Sequence, residues 1–271
     1  SQNITIVIYH TAIAFHKMRN NALLLLIVLL IGCSRSTAIF QESTMGDLAK
    51  VDLSSSLINP STLMGYYVDS DENGHPFIAD TLSFQRQDPL GFIGKDFSRF
   101  RIHFDTVMKS EDLQYTIMGV WDWPREKSKS SFKGTLKVDS IKKIDPLDEM
   151  KDINRKLRIT EYGIIFASLE LGSSFQPSPE HWKGTAIFRY ALVDGKYCYD
   201  TEGITDDGYC NNQYTGVMTT KEGTMICNWG DYRIPGSEKL DIGVAEFVPA
   251  GGKGWENYQK VNDDPILSAR D

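Results

Sequence analysis

Apolar and polar residues alternate along Phe100-Arg101-Ile102-His103-Phe104-Asp105, and again along Phe132-Lys133-Gly134-Thr135-Leu136-Lys137-Val138-Asp139. A period of two sends successive side chains to opposite faces of a strand, so each run can bury one face and wet the other. Residues 64–68, 75–84, 115–121, 185–193, 214–219, 224–229 and 242–248 read as further strands, and the nearly continuous apolar run 163–171 reads as a central one. Turn formers separate them at short intervals. About ten strands in this rhythm predict an all-β domain, either an antiparallel barrel or a two-sheet sandwich. Residues 145–158 break the rhythm. Leu147, Met150, Ile153 and Leu157 recur there at helical spacing. Asp145 can cap and Pro146 suits the first turn, which predicts one connecting helix near 146–158.

Near the start the constraint is of another kind. Met18-Arg19-Asn20-Asn21 provides a start and a positive charge, and the ten residues 22–31 are apolar throughout, running into Leu30-Ile31-Gly32-Cys33. A spanning helix needs roughly 20 apolar residues, so this run is short for an anchor and suited to a secretory signal. A small residue followed directly by cysteine resembles the lipobox of bacterial lipoproteins. The resemblance implies cleavage before Cys33, acylation of Cys33, and a soluble domain held to a cell-envelope membrane by lipid. No acidic cluster follows Cys33, which favours a periplasm-facing position. Residues 1–17 then read as an upstream extension that is not native, and 18–32 as the signal peptide. Residues 33–60 read as a tether, 61–258 as a single β domain and 259–271 as a frayed tail.

The chain carries a net charge of −7, and loss of Lys17 and Arg19 with the signal makes the remainder more acidic. An acidic surface repels a phosphate backbone, and no basic run is interleaved with aromatics, so nucleic acid is not expected as a partner. There are four cysteines. With Cys33 given to lipid, Cys198, Cys210 and Cys227 allow one internal bridge at most. An oxidising compartment permits it. Cys198 and Cys210 flank a loop between two strand-like runs, which predicts a Cys198–Cys210 disulfide and a buried, free Cys227.

The densest set of chemically capable side chains is Cys227-Asn228-Trp229-Gly230-Asp231-Tyr232-Arg233-Ile234-Pro235-Gly236, followed by Asp241-Ile242-Gly243 and Glu246-Phe247. Flat aromatics beside Asn, Asp and Arg suit sugar recognition: a ring face stacks while hydroxyls meet fixed polar groups. Asn228, Trp229, Asp231, Tyr232, Arg233, Asp241 and Glu246 are therefore the candidate ligand-binding residues. A structural reading uses the same letters. Gly230-Asp231 and Pro235-Gly236 form turns, Trp229 plugs the core, and Arg233 ties to Asp241 or Glu246. This segment through Gly254-Trp255-Glu256-Asn257-Tyr258, with Phe132-Lys133-Gly134-Thr135-Leu136, is similar to bacterial secreted proteins of unknown activity. That resemblance implies a shared fold and carries over no activity. Leu63-Met64-Gly65-Tyr66-Tyr67 resembles the Gly-x-aromatic opening of lipocalin barrels.

Asp69, Asp71 and Asn73, with Gly74 and Asp80, follow calcium-loop spacing at positions 1, 3, 5, 6 and 12. Asp80 replaces the longer Glu, Pro76 interrupts, and the flanks look like strands, so a hairpin turn without a metal is expected. Trp121-Asp122-Trp123 and His181-Trp182 read as core or rim filling. No Gly-x-Ser-x-Gly, His-Glu-x-x-His or Gly-rich phosphate loop occurs, and no cofactor is expected. Two carboxylates such as Asp231 and Glu246 would suffice for a glycosidase. The leading expectation is a membrane-tethered module that binds a carbohydrate or another small ligand. A glycan-active hydrolase and a structural or assembly lipoprotein are the alternatives.

Overall fold

The alternating runs become long antiparallel strands, because each can pair along both edges while burying one face. In the computed structural model they are β1 (Phe40–Glu42), β2 (Leu63–Ser70), β3 (Pro76–Phe84), β4 (Leu90–Ile93), β5 (Ser98–Glu111), β6 (Gln114–Trp123), β7 (Ser128–Ile144), β8 (Ile159–Ser173), β9 (His181–Val193), β10 (Lys196–Tyr199), β11 (Gln213–Thr220) and β12 (Gly223–Gly230). The structure describes residues 40–42, 44–86, 88–123, 128–144, 157–173, 180–201, 211–231, 233–244, 247–256 and 258. All lie in one unit, Phe40–Asp271.

Each strand from β4 to β9 pairs with the next. β9 then pairs with β11, β11 with β12, and β12 returns to β4. The ring closes, so the fold is an eight-stranded up-and-down barrel, one of the two architectures the alternation predicts. Closure removes the free edge along the ring. β1 adds to the end of β7, β10 adds to the end of β9, and β2 and β3 form a separate hairpin.

Eight strands enclose a space that side chains can fill. Here rings fill it. Phe100, Trp121, Phe132, Trp182, Phe188, Tyr214 and Trp229 are each at most 1% exposed. Trp121 stacks on Phe132 at 5.1 Å, and Phe188 meets Tyr214 edge-on at 5.9 Å. Some wall positions admit no side chain: a Cβ on Gly119 would sit 2.0 Å from the His103 carbonyl oxygen, and one on Gly184 2.1 Å from that of Thr215.

Two smaller cores lie outside the main one. The β2–β3 hairpin packs Tyr66 and Ile78 against Ile159, Ala191, Val193 and Cys198. The C-terminal segment packs Ile234, Leu240, Phe247 and Trp255 against Phe92.

Two expectations change. The proposed tether holds β1, then a helical turn, Met45–Leu48, and a π-turn, Ser54–Ile58. Leu48, Leu53, Leu57 and Ile58 enter the main core at 0–1% exposure. The apolar residues hidden in that polar composition were the signal. Among the described residues, 242–244 and 247–248 form no strand; a single bridge pairs Asp241 with Pro249. The helix expected near 146–158 lies outside the described residues, apart from a turn at Leu157-Arg158. The expected signal peptide, Cys33 and tail 259–271 also lie outside them.

Candidate functional site

The aromatic and polar cluster at the end of β12 is built as structure. Trp229 points into the barrel with no exposure, 4.4 Å from Trp182 and 5.0 Å from Tyr214 by ring centroids. It is closed to a sugar face. The Asn228 side chain accepts from the Gly216 amide at 3.1 Å and donates to the Pro235 carbonyl at 2.8 Å. It stitches β11 to the turn. Asp231 is 3% exposed and accepts from the Tyr199 hydroxyl at 2.7 Å, with Arg86 Nε at 3.8 Å. Tyr232 and Glu246 lie outside the described residues.

Arg233 finds Asp241, Nη1 to Oδ2 at 2.5 Å. The other Asp241 oxygen accepts from the Gly243 and Val248 amides at 3.0 and 2.9 Å. The pair therefore pins the 241–248 loop; Trp229 is positioned by its ring neighbours instead. The five candidate ligand residues that are described, Asn228, Trp229, Asp231, Arg233 and Asp241, are thus not brought together around an open site.

Cys198 is a free, fully buried thiol. Its place opposite Ala191 on β9 turns it into the apolar core beneath the β2–β3 hairpin. Burial pushes its pKa up to about 11. Cys210 lies outside the described residues. Cys227 is also free and buried.

The 69–80 segment is the β2–β3 hairpin. The Asp71 carboxylate accepts from the Asn73 and His75 amides and meets the His75 ring at 3.1 Å. Gly74 takes the positive φ of 78° that the turn needs. Asp69 and Asp80 each accept from the following amide. These oxygens serve backbone groups of the turn.

An open cleft of about 510 Å³ lies elsewhere, on the outer face of the barrel. β5 supplies one wall. Its inward residues are Phe100, Ile102 and Phe104, so Arg99, Arg101 and His103 face out at two-residue steps. The 85–90 segment supplies Arg86, Asp88, Pro89 and Leu90, and Ser61 and Tyr258 complete the rim. Arg99 donates to the Gly254 carbonyl at 3.3 Å and lies over the rings of Trp255 and Tyr258 at 5.2 and 5.9 Å. Burial, and then the neighbouring Arg101, lower its pKa. Arg101 stands 3.6 Å from Asp122 on β6, and His103 is 2.6 Å from Asp88. Arg86 lies deepest, with its guanidinium 5.5 Å from the centre of the Tyr199 ring.

The sequence reading missed every residue of this cleft. The outward set on β5 was visible in the alternation that predicted the strand. Its convergence with Arg86 and Tyr258 depends on long-range packing that no local pattern records. Comparison with protein-family models, curated proteins and solved structures finds no match to this chain.

Proposed function

We propose that this chain is a lipid-anchored protein of the bacterial cell envelope, and that its barrel binds a carbohydrate or another small ligand in the outer cleft. The cleft carries the reading. Its volume falls in the range of small-molecule sites, and it joins apolar walls from Pro89, Leu90 and Tyr258 to a few convergent polar groups. A lumenal site is disfavoured, since Trp182, Tyr214 and Trp229 occupy the interior. Asp231 is buried against Tyr199 and faces no open cleft, so it gives no support to a hydrolase. The Leu-Ile-Gly-Cys lipobox supports the anchor at Cys33.

The test is a thermal-shift screen of mono- and oligosaccharides and small metabolites on the full chain, run beside Ser61→Trp, which fills the rim. At least one ligand class should raise the melting temperature of the wild type and not of the variant. No shift, or equal shifts in both, overturns the reading. Membrane fractionation of Cys33→Ser tests the anchor, with release from the membrane expected.

A structural or assembly role has one observation in its favour. Val217 and Ile226 oppose each other across β11 and β12 on the outer face, 41% and 48% exposed. A stable complex in solution that Val217→Lys disrupts, without any small-molecule shift, would select that role.

A further inference from the structure

We propose that the cleft takes its ligand by an anionic group, a carboxylate or a phosphate, held between Arg99 and Arg101. The proposal rests on the reading of the cleft as the ligand site and adds the chemical class of the ligand.

The two arginines leave the same face of β5 about 7 Å apart along the strand, a spacing from which long side chains reach one anion. That they share one space is visible in the electrostatics: Arg101 makes the charge on Arg99 harder to keep. Their existing partners leave capacity. Among the described residues Arg99 has no carboxylate in ion-pair range; its contacts are the Gly254 carbonyl and two ring faces. Arg101 meets Asp122 at 3.6 Å, longer than a hydrogen bond, and its side chain is 49% exposed. The one lining acid, Asp88, is engaged by His103 at 2.6 Å. Three guanidiniums and a single carboxylate thus line a cleft on a chain whose net charge is −7. Asp122 and Asp231 stand beside Arg101 and Arg86, so Arg99 is the cation with no carboxylate in range among the described residues, and it draws a small anion toward the half-exposed Arg101. The guanidinium fork matches the planar oxygens of a carboxylate and the face of a phosphate. Pro89, Leu90 and Tyr258 leave apolar surface for the rest of the molecule.

The experiment is NMR titration of the full chain with galacturonate, galactose and inorganic phosphate, and with vesicles containing an anionic phospholipid. Wild type, Arg101→Gln, Arg99→Gln and Ser61→Trp are compared. Galacturonate and phosphate should perturb the amides of β5, bind at least tenfold more weakly to Arg101→Gln, and lose affinity as salt rises. Arg101 is half exposed, so that variant keeps the fold even if Arg99→Gln loosens the Trp255 contact. Binding to vesicles alone identifies the anion as a lipid headgroup, and binding to the soluble anions identifies a free ligand; either supports the proposal if Arg101→Gln weakens it. Equal binding of galactose and galacturonate, blocked by Ser61→Trp, overturns the anionic assignment and leaves the cleft reading standing. Unchanged anion affinity in both arginine variants overturns it too. If no probe binds in a way that Ser61→Trp prevents, both the assignment and the reading fall.

Discussion

Trp229 stacks on Tyr214 inside the barrel, with ring planes 18° apart and Cα atoms directly paired across β11 and β12. The two rings close the middle of the interior, with Trp182 and Phe100 against Trp229 and with Phe104 and Phe188 against Tyr214. The residue that looked most like a sugar platform in the sequence is therefore a packing element. Trp229→Ala should cost about 3–5 kcal/mol in urea unfolding, and Trp229→Phe clearly less. Affinity for any cleft ligand should be unchanged in the folded Trp229→Phe protein. A variant with wild-type stability and lost binding would restore Trp229 to the ligand site.

Arg233 and Asp241 are unequal partners. The Asp241 side chain is 4% exposed and serves three donors, whereas Arg233 is 28% exposed. Asp241→Ala removes all three bonds and leaves a partly buried cation, so a loss of roughly 2–3 kcal/mol is expected. Arg233→Ala leaves the carboxylate its two amides and should cost about half as much. Hydrogen exchange at the Gly243 and Val248 amides should accelerate strongly in Asp241→Ala and little in Arg233→Ala. Equal protection in both would mean that the loop is held by other contacts.

The all-β class was legible because period-two alternation is local: Phe100 to Asp105 and Phe132 to Asp139 give their faces from a few letters each. What those letters do not contain is pairing. β12 returning to β4 closes the ring and separates a barrel from a sandwich, and that pairing joins strands far apart in the chain. The same limit hid the cleft, whose arginines come from β5 and from the segment before β4. The 242–248 run misled for a different reason. The run is mostly apolar, but Asp241 captures the Gly243 and Val248 amides, and a captured amide cannot join a ladder.

Cys198, Cys227 and Tyr214 are held neutral by burial, Cys198 with its pKa near 11 and the other two well above their ordinary values. Each raised pKa contributes stability that is complete below the unfolded-state value and is lost as pH rises toward the folded one. The domain should therefore weaken progressively from about pH 9 upward, and Cys198→Ala should flatten the part of that slope ending near 11. Alkylation of the native protein at pH 8 should leave Cys198 unmodified, and alkylation in denaturant without reductant should label it. A peptide map showing Cys198 bridged to Cys210 in the unreduced protein would contradict the free thiol.

Residues 44–62 act as a strap across the main core rather than as a spacer. Leu57 is fully buried, and its carbonyl accepts from the Asn212 side chain at 2.8 Å. The Tyr115 hydroxyl accepts from the Leu53 amide at 3.2 Å and donates to the Val51 carbonyl at 3.4 Å. Lys109 reaches the carbonyls of Ala49 and Val51. Removing the strap would uncover Tyr115 and orphan the polar groups that now meet its backbone. Leu57→Ala should cost about 2–5 kcal/mol, the range for a large side chain lost from a packed core. A chain begun at Phe40 should unfold cooperatively and at the same midpoint as the full chain. One begun at Ser61 should bind a hydrophobic dye and melt without a sharp transition. Wild-type unfolding of the 61–271 chain would show that the strap, though packed, contributes no stability, and would return residues 33–60 to the role of a tether.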